Sequence, residues 1–237
     1  MGRLENARPN SAFRWTESDG FQPLGDLAGG SNDSIAFAIS SDGSTIVGRS
    51  DSSNGEEAYV WRESHGMMGI GDLPGGDFES TAWHVSATGR FAVGQSDSAN
   101  GIEAFLYDSE TPSGMVGLGD LPGNAFESIA TGVSADGKTV VGWSVSSLGA
   151  TAFLWTESEG MRSLENVLGQ DYGLDLGTWR LRQAMGLSDN GLVISGSGLN
   201  PQGNLEGWVV YLPEPSSILL MFLGGVMLSM RPKRSQL

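Results

Sequence analysis

The sequence predicts an all-β fold of repeated four-stranded antiparallel units, arranged like the blades of a β-propeller that could be an incomplete ring. The chain repeats one pattern four times with a period of about 46 residues, the size of one propeller blade. Its 36 glycines are spread along the 237 residues, which is typical of short strands joined by tight turns. An open β-solenoid of hairpins is the alternative, because the period alone does not separate a ring from a stack.

Each repeat begins with an aromatic strand, read as AFRW, AYVW, AFLY and AFLW in successive copies. The copies place the repeats at about 12–57, 58–103, 104–151 and 152–206. A partial fifth copy, GWVVYL at 207–212, is expected to supply a strand that closes the ring. The body of the protein is therefore predicted at 12–212, after a poorly structured N-terminus at 1–11.

One aromatic residue recurs at a fixed place in the first strand of each copy. Large rings in a fixed register are what the core of a packed sheet requires. We predict that these rings occupy equivalent, largely buried positions, and they are Trp15, Trp61, Tyr107, Trp155 and Trp208.

Glycine marks two further positions of the repeat. The pairs Asp42-Gly43, Thr88-Gly89, Asp136-Gly137 and Asn190-Gly191 predict hairpins with type I′ turns. A second glycine follows within the next strand, where we expect a neighbouring backbone to approach closely. These second glycines are Gly48, Gly94, Gly142 and Gly196.

The combined pattern, GxxAFxWxxxxGMxxLGDLPGG followed by SxAxxVSADGxxVVGxS, resembles the HAF repeat of bacterial extracellular repeat proteins over residues 12–212. The histidine in the name of that repeat is replaced here by Glu57, Glu103 and Thr151. The resemblance brings no established catalytic residues and implies no cofactor.

The last repeat departs from the others through the insertion DYGLDLGTWRLRQAMG, which resembles the terminal repeat of such proteins. We interpret it first as a capping unit and second as a binding site. The residues that would form that site are Tyr172, Asp175, Trp179 and Arg180.

Charge and composition exclude several classes of function. The formal net charge is −15, which opposes binding to nucleic acid and to anionic membrane surfaces. The absence of cysteine excludes disulfides, thiolate nucleophiles and cysteine-based metal centres. The two histidines, His65 and His84, fall at different places in the repeat and do not have the spacing of metal ligands.

Acidic residues offer the remaining candidates for chemistry. Asp26, Asp72 and Asp120 recur in the LGDL segment, either as carboxylates that bind Ca²⁺ or a polar ligand, or as turn residues. Their recurrence with the repeat, with Glu165 at the nearest position of the fourth copy, favours the structural role. The segments at 51–57 and 97–103 do not have the ligand spacing of an EF-hand and are expected to be surface loops between blades, although they could bind Ca²⁺ weakly. No catalytic residue and no metal ligand is predicted.

The C-terminal segment at 213–237 combines a Pro-Glu-Pro motif, a short apolar run and a basic cluster. This order resembles the PEP-CTERM sorting signal, which is also found in domains described as the C-terminal domain of ice-binding proteins. The sorting motif matches Pro213, Glu214 and Pro215. The membrane segment, predicted as a short hydrophobic helix, matches Ile218, Leu219, Leu220, Met221, Phe222, Leu223, Val226, Met227 and Leu228. The basic stop matches Arg231, Lys233 and Arg234.

The resemblance implies an exosortase as the sorting partner and removal of the tail near the motif. The apolar run at 218–230 is shorter than the roughly 20 residues of a spanning helix, and the basic end predicts a cytoplasmic C-terminus before processing. The N-terminus has no apolar signal segment and opens inside a repeat. We therefore expect the gene to encode a signal peptide and further repeats upstream of Met1.

These observations predict a non-enzymatic, exported bacterial protein that associates with the membrane until processing and then lies at the cell surface or in the matrix. Its body would bind an extracellular polysaccharide or a protein. Two alternatives stay open at this point: a secreted hydrolase that acts on extracellular polysaccharide through paired carboxylates, and a surface protein that the tail anchors permanently.

Overall fold

The structure is a computed structural model that describes residues 11–111, 114–123 and 125–213. These residues form strands, turns and one short helix. An N-terminal hairpin contains β1 (Phe13–Thr16) and β2 (Gly20–Pro23). Sheet 1 contains β3 (Gly29–Ile39), β4 (Thr45–Ser52), β5 (Glu56–Arg62) and β6 (Gly66–Gly69).

Three more sheets follow along the chain. Sheet 2 contains β7 (Gly75–Val85), β8 (Phe91–Ser98), β9 (Gly101–Asp108) and β10 (Met115–Gly117). Sheet 3 contains β11 (Ser128–Val133), β12 (Thr139–Ser146), β13 (Gly149–Thr156) and β14 (Gly160–Ser163). Sheet 4 contains β15 (Arg180–Leu187), β16 (Val193–Leu199) and β17 (Leu205–Tyr211).

The strands of each sheet pair antiparallel in chain order, as a meander. The first strands of successive sheets, β3, β7, β11 and β15, lie next to one another. We call these four strands the inner strands. A single parallel bridge, Glu56 to Glu79, joins sheets 1 and 2. The predicted all-β, antiparallel, propeller-like architecture is confirmed.

The sheets are offset by half a unit from the sequence repeats. Sheet 1 spans residues 29–69 and thus crosses the repeat boundary at 57 and 58. Each complete sheet takes its first two strands from one repeat and most of its last two strands from the next. The segment at 207–212, expected to close the ring, lies mostly in β17, which pairs with β16 as the third strand of sheet 4.

The hydrophobic core lies between consecutive sheets rather than within one layer. Val47 and Val60 of sheet 1 pack with Val85 and Phe105 of sheet 2, and equivalent clusters join sheets 2 and 3 and sheets 3 and 4. The N-terminal hairpin packs on sheet 1 in the same way, with Leu24 in the cluster. Burial of apolar area between sheets is therefore the main force that holds the sheets together.

Buried serines add a repeated hydrogen bond between neighbouring units. The backbone N–H of Ala58 in sheet 1 donates to Ser80 Oγ in sheet 2 at 2.9 Å, and that hydroxyl donates to the Gly71 carbonyl at 2.6 Å. Ser34 and Ser128 make the same two bonds in their own units. Each hydroxyl satisfies two backbone groups that would otherwise be buried without a partner.

The close approach predicted for the second glycine of each repeat is confirmed. A Cβ at Gly48 would lie 1.9 Å from the Ile35 carbonyl oxygen, and a Cβ at Gly94 would lie 1.9 Å from that of Thr81. Gly142 and Gly196 meet the inner strand at 2.0 Å in the same manner. Only glycine fits at these positions without moving the backbone.

The type I′ assignment of the hairpin turns is wrong. Gly43 has a φ of +73°, but Asn32 is the one non-glycine residue with positive φ in the part of the chain that the structure describes. The turn instead spans four residues, with Gly43 N–H donating to the Ser40 carbonyl at 2.9 Å. The Asp42 carboxylate accepts the N–H of Ser44 at 3.0 Å. This side-chain bond stabilises a right-handed turn at Asp42, so glycine is needed at one position only.

The prediction of five equivalent buried rings is correct only in part. Trp61 is 7% exposed, whereas Trp15 is 60% exposed. Tyr107 and Trp155 are partly buried at the position of Trp61, each opposite the second residue of the adjacent strand. Trp15 lies in β1, which among the described strands pairs with β2 alone.

Trp208 stands in a different register from the other predicted rings. It lies opposite Gly196, and in the other sheets the residues opposite the equivalent glycines are Tyr59, Phe105 and Phe153. These three rings are fully buried. The true core aromatic of the repeat is therefore two residues before the one that the sequence suggested.

A helix that the sequence did not predict, α1 (Leu164–Gln170), directly precedes the terminal insertion. Ser163 caps its N-terminus by accepting the N–H of Asn166. Leu164 and Leu168 are buried in the cluster between sheets 3 and 4. Tyr172 of the insertion packs on the same cluster, so α1 and the insertion together cover the end of this interface.

The residues predicted to form the C-terminal sorting signal lie largely outside the described residues. Only Pro213 of the sorting motif is described, directly after Leu212, which is buried and donates to the Leu192 carbonyl at 2.8 Å. Glu214, Pro215, the apolar run and the basic cluster lie beyond it. Among the described residues, no helix is both long and apolar enough to cross a membrane.

Candidate functional site

A β-bulge interrupts every inner strand at the same place. The pairing register skips one residue between Ala36 and Ala38, between Ala82 and His84, and at the equivalent points of β11 and β15. The skipped residues are Phe37, Trp83, Thr131 and Met185. We call these four residues the bulge row.

The bulge frees these side chains from the packed faces of the sheets. A bulged residue has no partner in the ladder, and its side chain does not follow the regular alternation between the two faces of the sheet. Phe37 and Trp83 are 37% and 38% exposed, and Met185 is exposed as well. By contrast, Ala82 and Val85 on the same strand as Trp83 are buried. Phe37, Trp83 and Met185 thus present large apolar groups to solvent, whereas Thr131 is partly buried and its hydroxyl donates to the Ala184 carbonyl at 2.8 Å.

Phe37 and Trp83 form an aromatic contact across two sheets. Their ring centroids lie 4.4 Å apart with a tilt of 43°. The indole N–H of Trp83 donates to Gln95 Oε1 at 3.2 Å, which fixes the orientation of the ring. The two rings together form an exposed aromatic surface whose geometry is set by two adjacent inner strands.

His84 lies directly after Trp83 and is mostly buried. Burial lowers the pKa of its imidazole from the usual 6.5, while the carboxylate of Asp189 acts in the opposite direction. Its Nδ1 atom has no hydrogen-bond partner among the residues that the structure describes. The imidazole is therefore neutral at pH 7 and contributes no charge beneath the aromatic pair.

The recurring aspartates lie beside a second set of carboxylates. Glu57 accepts the N–H of Gly71 at 3.0 Å, and Glu103 makes the matching bond one sheet later. Burial raises the pKa of Asp72 and of Asp120, and the adjacent Glu57 and Glu103 raise it further. Glu57 and Glu103 thus hold the LGD segments of their units in place.

This arrangement recurs in two sheets, and in the second one Asp120 also accepts a hydrogen bond from Ser144. A repeated pair that binds its own backbone is typical of a structural element. The described residues contain no group of three or more histidine or acidic side chains that could hold a metal ion.

The segments at 51–57 and 97–103 are hairpin turns between the second and third strands of one sheet. Ser52 donates its N–H to the Gly55 carbonyl at 2.8 Å, and its hydroxyl accepts the N–H of Asn54 at 3.2 Å. Ser98 and Asn100 repeat the second of these bonds. They connect strands within a sheet, whereas the sequence suggested loops between blades.

The remaining sequence candidates are not brought together. His65 is exposed and contacts Ser64. Asp175 accepts the N–H of Gly177, and Arg180 bonds Glu165, so both support the local loop.

The bulge row was not predicted from the sequence. Its signal was present: the residue after a recurring alanine (Ala36, Ala82, Ala130 and Ala184) reads Phe, Trp, Thr and Met in the four repeats.

Comparisons with known proteins identify the fold and no family. No protein-family model matches the chain, and no curated protein matches it. Among solved structures, the chain is similar to a putative TolB from Agrobacterium tumefaciens, with a TM-score of 0.50 and 15% identity over 75% of this chain and 58% of that one. It is also similar to TolB from Acinetobacter baumannii, with a TM-score of 0.52 and 14% identity over 83% of this chain and 45% of that one.

The chain thus spans about half the length of these TolB structures. At such low identity the likeness shows the fold alone. That fold is a β-propeller-like arrangement, which agrees with the inner strands lying side by side.

Proposed function

We propose that this protein is a non-enzymatic, exported surface or matrix protein whose propeller-like body binds an extracellular polysaccharide through the bulge row. The observation that carries the proposal is the exposed contact between Phe37 and Trp83. The flat face of an aromatic ring packs against the apolar C–H face of a sugar ring, and adjacent rings extend that surface along a chain of sugars.

Charge narrows the class of polysaccharide. The protein carries a net charge of −15, so a polyanionic polysaccharide would be repelled at low ionic strength. The aromatic pair itself is uncharged, and the adjacent His84 is kept neutral by burial. Neutral glucans or amine-bearing polymers are therefore the expected ligands.

The binding experiment compares two exposed tryptophans. A glycan array with the purified body should identify a neutral or amine-bearing polysaccharide, and Trp83→Ala should weaken that binding about tenfold or more, as for an aromatic hot spot. Trp15→Ala is the matched control, because Trp15 is even more exposed but lies outside the bulge row. Equal binding by wild type and Trp83→Ala would remove the bulge row from the proposal.

Protein rather than polysaccharide is the second candidate ligand, since exposed aromatic and methionine side chains are also enriched at protein interfaces. A protein ligand would be favoured if the wild type binds no glycan and binds a protein from native membranes that Trp83→Ala does not bind.

For the tail, we propose sorting by an exosortase followed by removal, with membrane association only before processing. The support is the order of the Pro-Glu-Pro motif, the apolar run and the basic cluster in the sequence. Replacing Glu214 should prevent processing without changing the folded body. The intact mass of the mature protein from its native host tests this: a species ending near residue 213 supports removal, whereas retention of residues 231–237 would identify a permanent anchor.

A further inference from the structure

A polar side chain, Gln95, is in direct contact with the aromatic pair of Phe37 and Trp83. Gln95 lies on β8 and is partly buried, and the indole N–H of Trp83 donates to its Oε1 atom at 3.2 Å. Because an indole N–H can only donate, the amide oxygen must face the ring, and the amide NH₂ group is left for other partners. That group makes no hydrogen bond with the described residues. The site therefore combines an apolar ring surface with unused N–H donors.

A carboxylate also reaches this part of β7, but its charge is already compensated. Arg49 forms an ion pair with Glu56 Oε1, and the Thr81 hydroxyl donates to the same oxygen at 3.4 Å. Thr81 stands opposite Gln95 in the strand pairing and two residues before Trp83, so this network lies beside the site. A carboxylate that already holds an arginine and a hydroxyl offers little attraction to a second cation.

Two further ionisable groups act on this part of the structure, and neither supplies a local anion. His84 follows Trp83 and is neutral at pH 7, because burial lowers the pKa of its imidazole. Asp189 acts on the His84 pKa in the opposite direction, but the Asp189 side chain is exposed and salt screens its field. Among the described residues, the aromatic pair thus has a hydrogen-bond donor within reach and is beside no uncompensated carboxylate.

An ammonium group would still be attracted to the faces of the rings. A cation over an exposed aromatic ring gains about two- to fivefold in affinity. An ammonium group contains only donors, however, so placing it against the Gln95 amide leaves the amide N–H groups unpaired beneath the ligand. Unpaired donors of this kind cost about fivefold or more in affinity. A hydroxyl or carbonyl oxygen at the same place accepts a hydrogen bond instead.

We propose that the bulge row selects an uncharged pyranose polymer, with a hydroxyl or an acetamido group where the sugar meets Gln95, against the same polymer with ammonium groups. Gln95 determines this specificity, because its amide N–H donates to the ligand oxygen while the C–H face of the sugar lies on Phe37 and Trp83. This inference rests on the proposed polysaccharide binding and narrows it, since the net charge of the protein alone also admits amine-bearing polymers.

The test uses the full chain and oligosaccharides of one backbone that differ only in the group at the second carbon of each sugar. That group is a hydroxyl in cello-oligosaccharides, an acetamido group in chitin oligosaccharides and an ammonium group in their deacetylated form. Calorimetric titration at about 150 mM salt, where the Debye length is about 8 Å, screens the general attraction of amines to an acidic surface. The hydroxyl and acetamido forms should bind, and the ammonium form should bind about tenfold or more weakly.

The decisive variant is Gln95→Glu, which keeps the size of the side chain. The new carboxylate can still accept the indole N–H of Trp83, but it contains no N–H donor and adds an anion. Binding of the hydroxyl and acetamido forms should fall about tenfold, and binding of the ammonium form should rise, so the preference is reversed. Gln22→Glu is the matched control: Gln22 is also partly buried, and its Oε1 accepts a bond from Arg14 at 2.8 Å. It changes the net charge equally, outside the bulge row, and should leave the preference as in the wild type.

Two results would overturn this inference and leave the polysaccharide proposal standing. One is binding of the ammonium form by the wild type as tight as that of the uncharged forms, lost in Trp83→Ala. The other is the wild-type order of preference in Gln95→Glu. If the wild type binds none of the three oligosaccharides, the inference is wrong; if the glycan array also shows no binding, the polysaccharide proposal fails with it.

Discussion

Substituting Gly94 with alanine should cost more stability than its small size suggests. The added Cβ would lie 1.9 Å from the Thr81 carbonyl oxygen, 2.9 Å from its carbonyl carbon and 3.0 Å from Ala82 Cα. All three atoms are backbone, so no side-chain rotation relieves the overlap. Overpacking of a core costs about 1–3 kcal/mol, and contact with backbone places this case at the upper end, at about 3 kcal/mol.

The control is Gly207→Ala, which changes the same atoms where space exists. A Cβ at Gly207 would lie 3.8 Å from the nearest atom, the Gly196 carbonyl oxygen, and the equivalent residue of the preceding sheets is alanine, as at Ala152. Because alanine restricts the unfolded chain more than glycine does, this variant should gain about 0.4–1 kcal/mol.

Urea unfolding followed by tryptophan fluorescence measures both free energies. In thermal unfolding, a loss of about 3 kcal/mol should lower the midpoint temperature of Gly94→Ala by about 6–12 °C in a domain of this size. If Gly94→Ala is as stable as Gly207→Ala, the bulged inner strand adjusts freely and the steric argument fails. Far-UV circular dichroism controls for global unfolding of the variant.

Four further substitutions, in three experiments, test other parts of the structure. Tyr59→Phe should leave stability unchanged or raise it by about 1 kcal/mol, measured by urea unfolding, because the buried hydroxyl has no partner among the described residues and burial raises its pKa. Trp61→Ala should cost about 3–5 kcal/mol, while Trp15→Ala should change stability by less than about 0.5 kcal/mol; equal costs would contradict the burial difference. Hydrogen bonds from Arg90 hold the pKa of Asp108 at about 2, so the carboxylate stabilises the folded state above its unfolded pKa near 3.8. That contribution is lost as the pH falls from about 4 through 2, and the stability of Asp108→Asn should vary less with pH over this range.

The sequence predicted the elements of the fold because each depends on local pattern. The glycines at Gly48 and its equivalents need a close backbone approach that any repeat of this period imposes. The half-unit offset was not predictable, since a periodic sequence contains no mark of which strand begins a sheet. The exposure of Trp15 was not predictable either, because burial of the ring depends on which sheet packs against its strand. That packing is a tertiary feature.

The bulge row was not predicted from the sequence for a related reason. A β-bulge breaks the alternation by which strand faces are assigned, so Trp83 reads as one more residue of an amphipathic strand. Trp208 was assigned to the wrong place in the repeat. Its ring lies opposite Gly196, which is two residues before the position of Trp61 in the repeat, and it fills a core position there. For both tryptophans, the pairing register of the strand determines whether the side chain is buried, and the residue type alone does not.

The bulge and the strand glycine are one structural unit. The carbonyl two residues before the skipped one, such as that of Thr81, lies over the neighbouring strand, and only a glycine such as Gly94 leaves room for it. At Phe37, Trp83 and Met185 the side chain of the skipped residue is exposed rather than packed in the core. Evolution can therefore vary Phe37, Trp83 and Met185 without repacking the sheets. A repeat protein that keeps its scaffold constant and varies only this row can change its ligand while its fold stays the same.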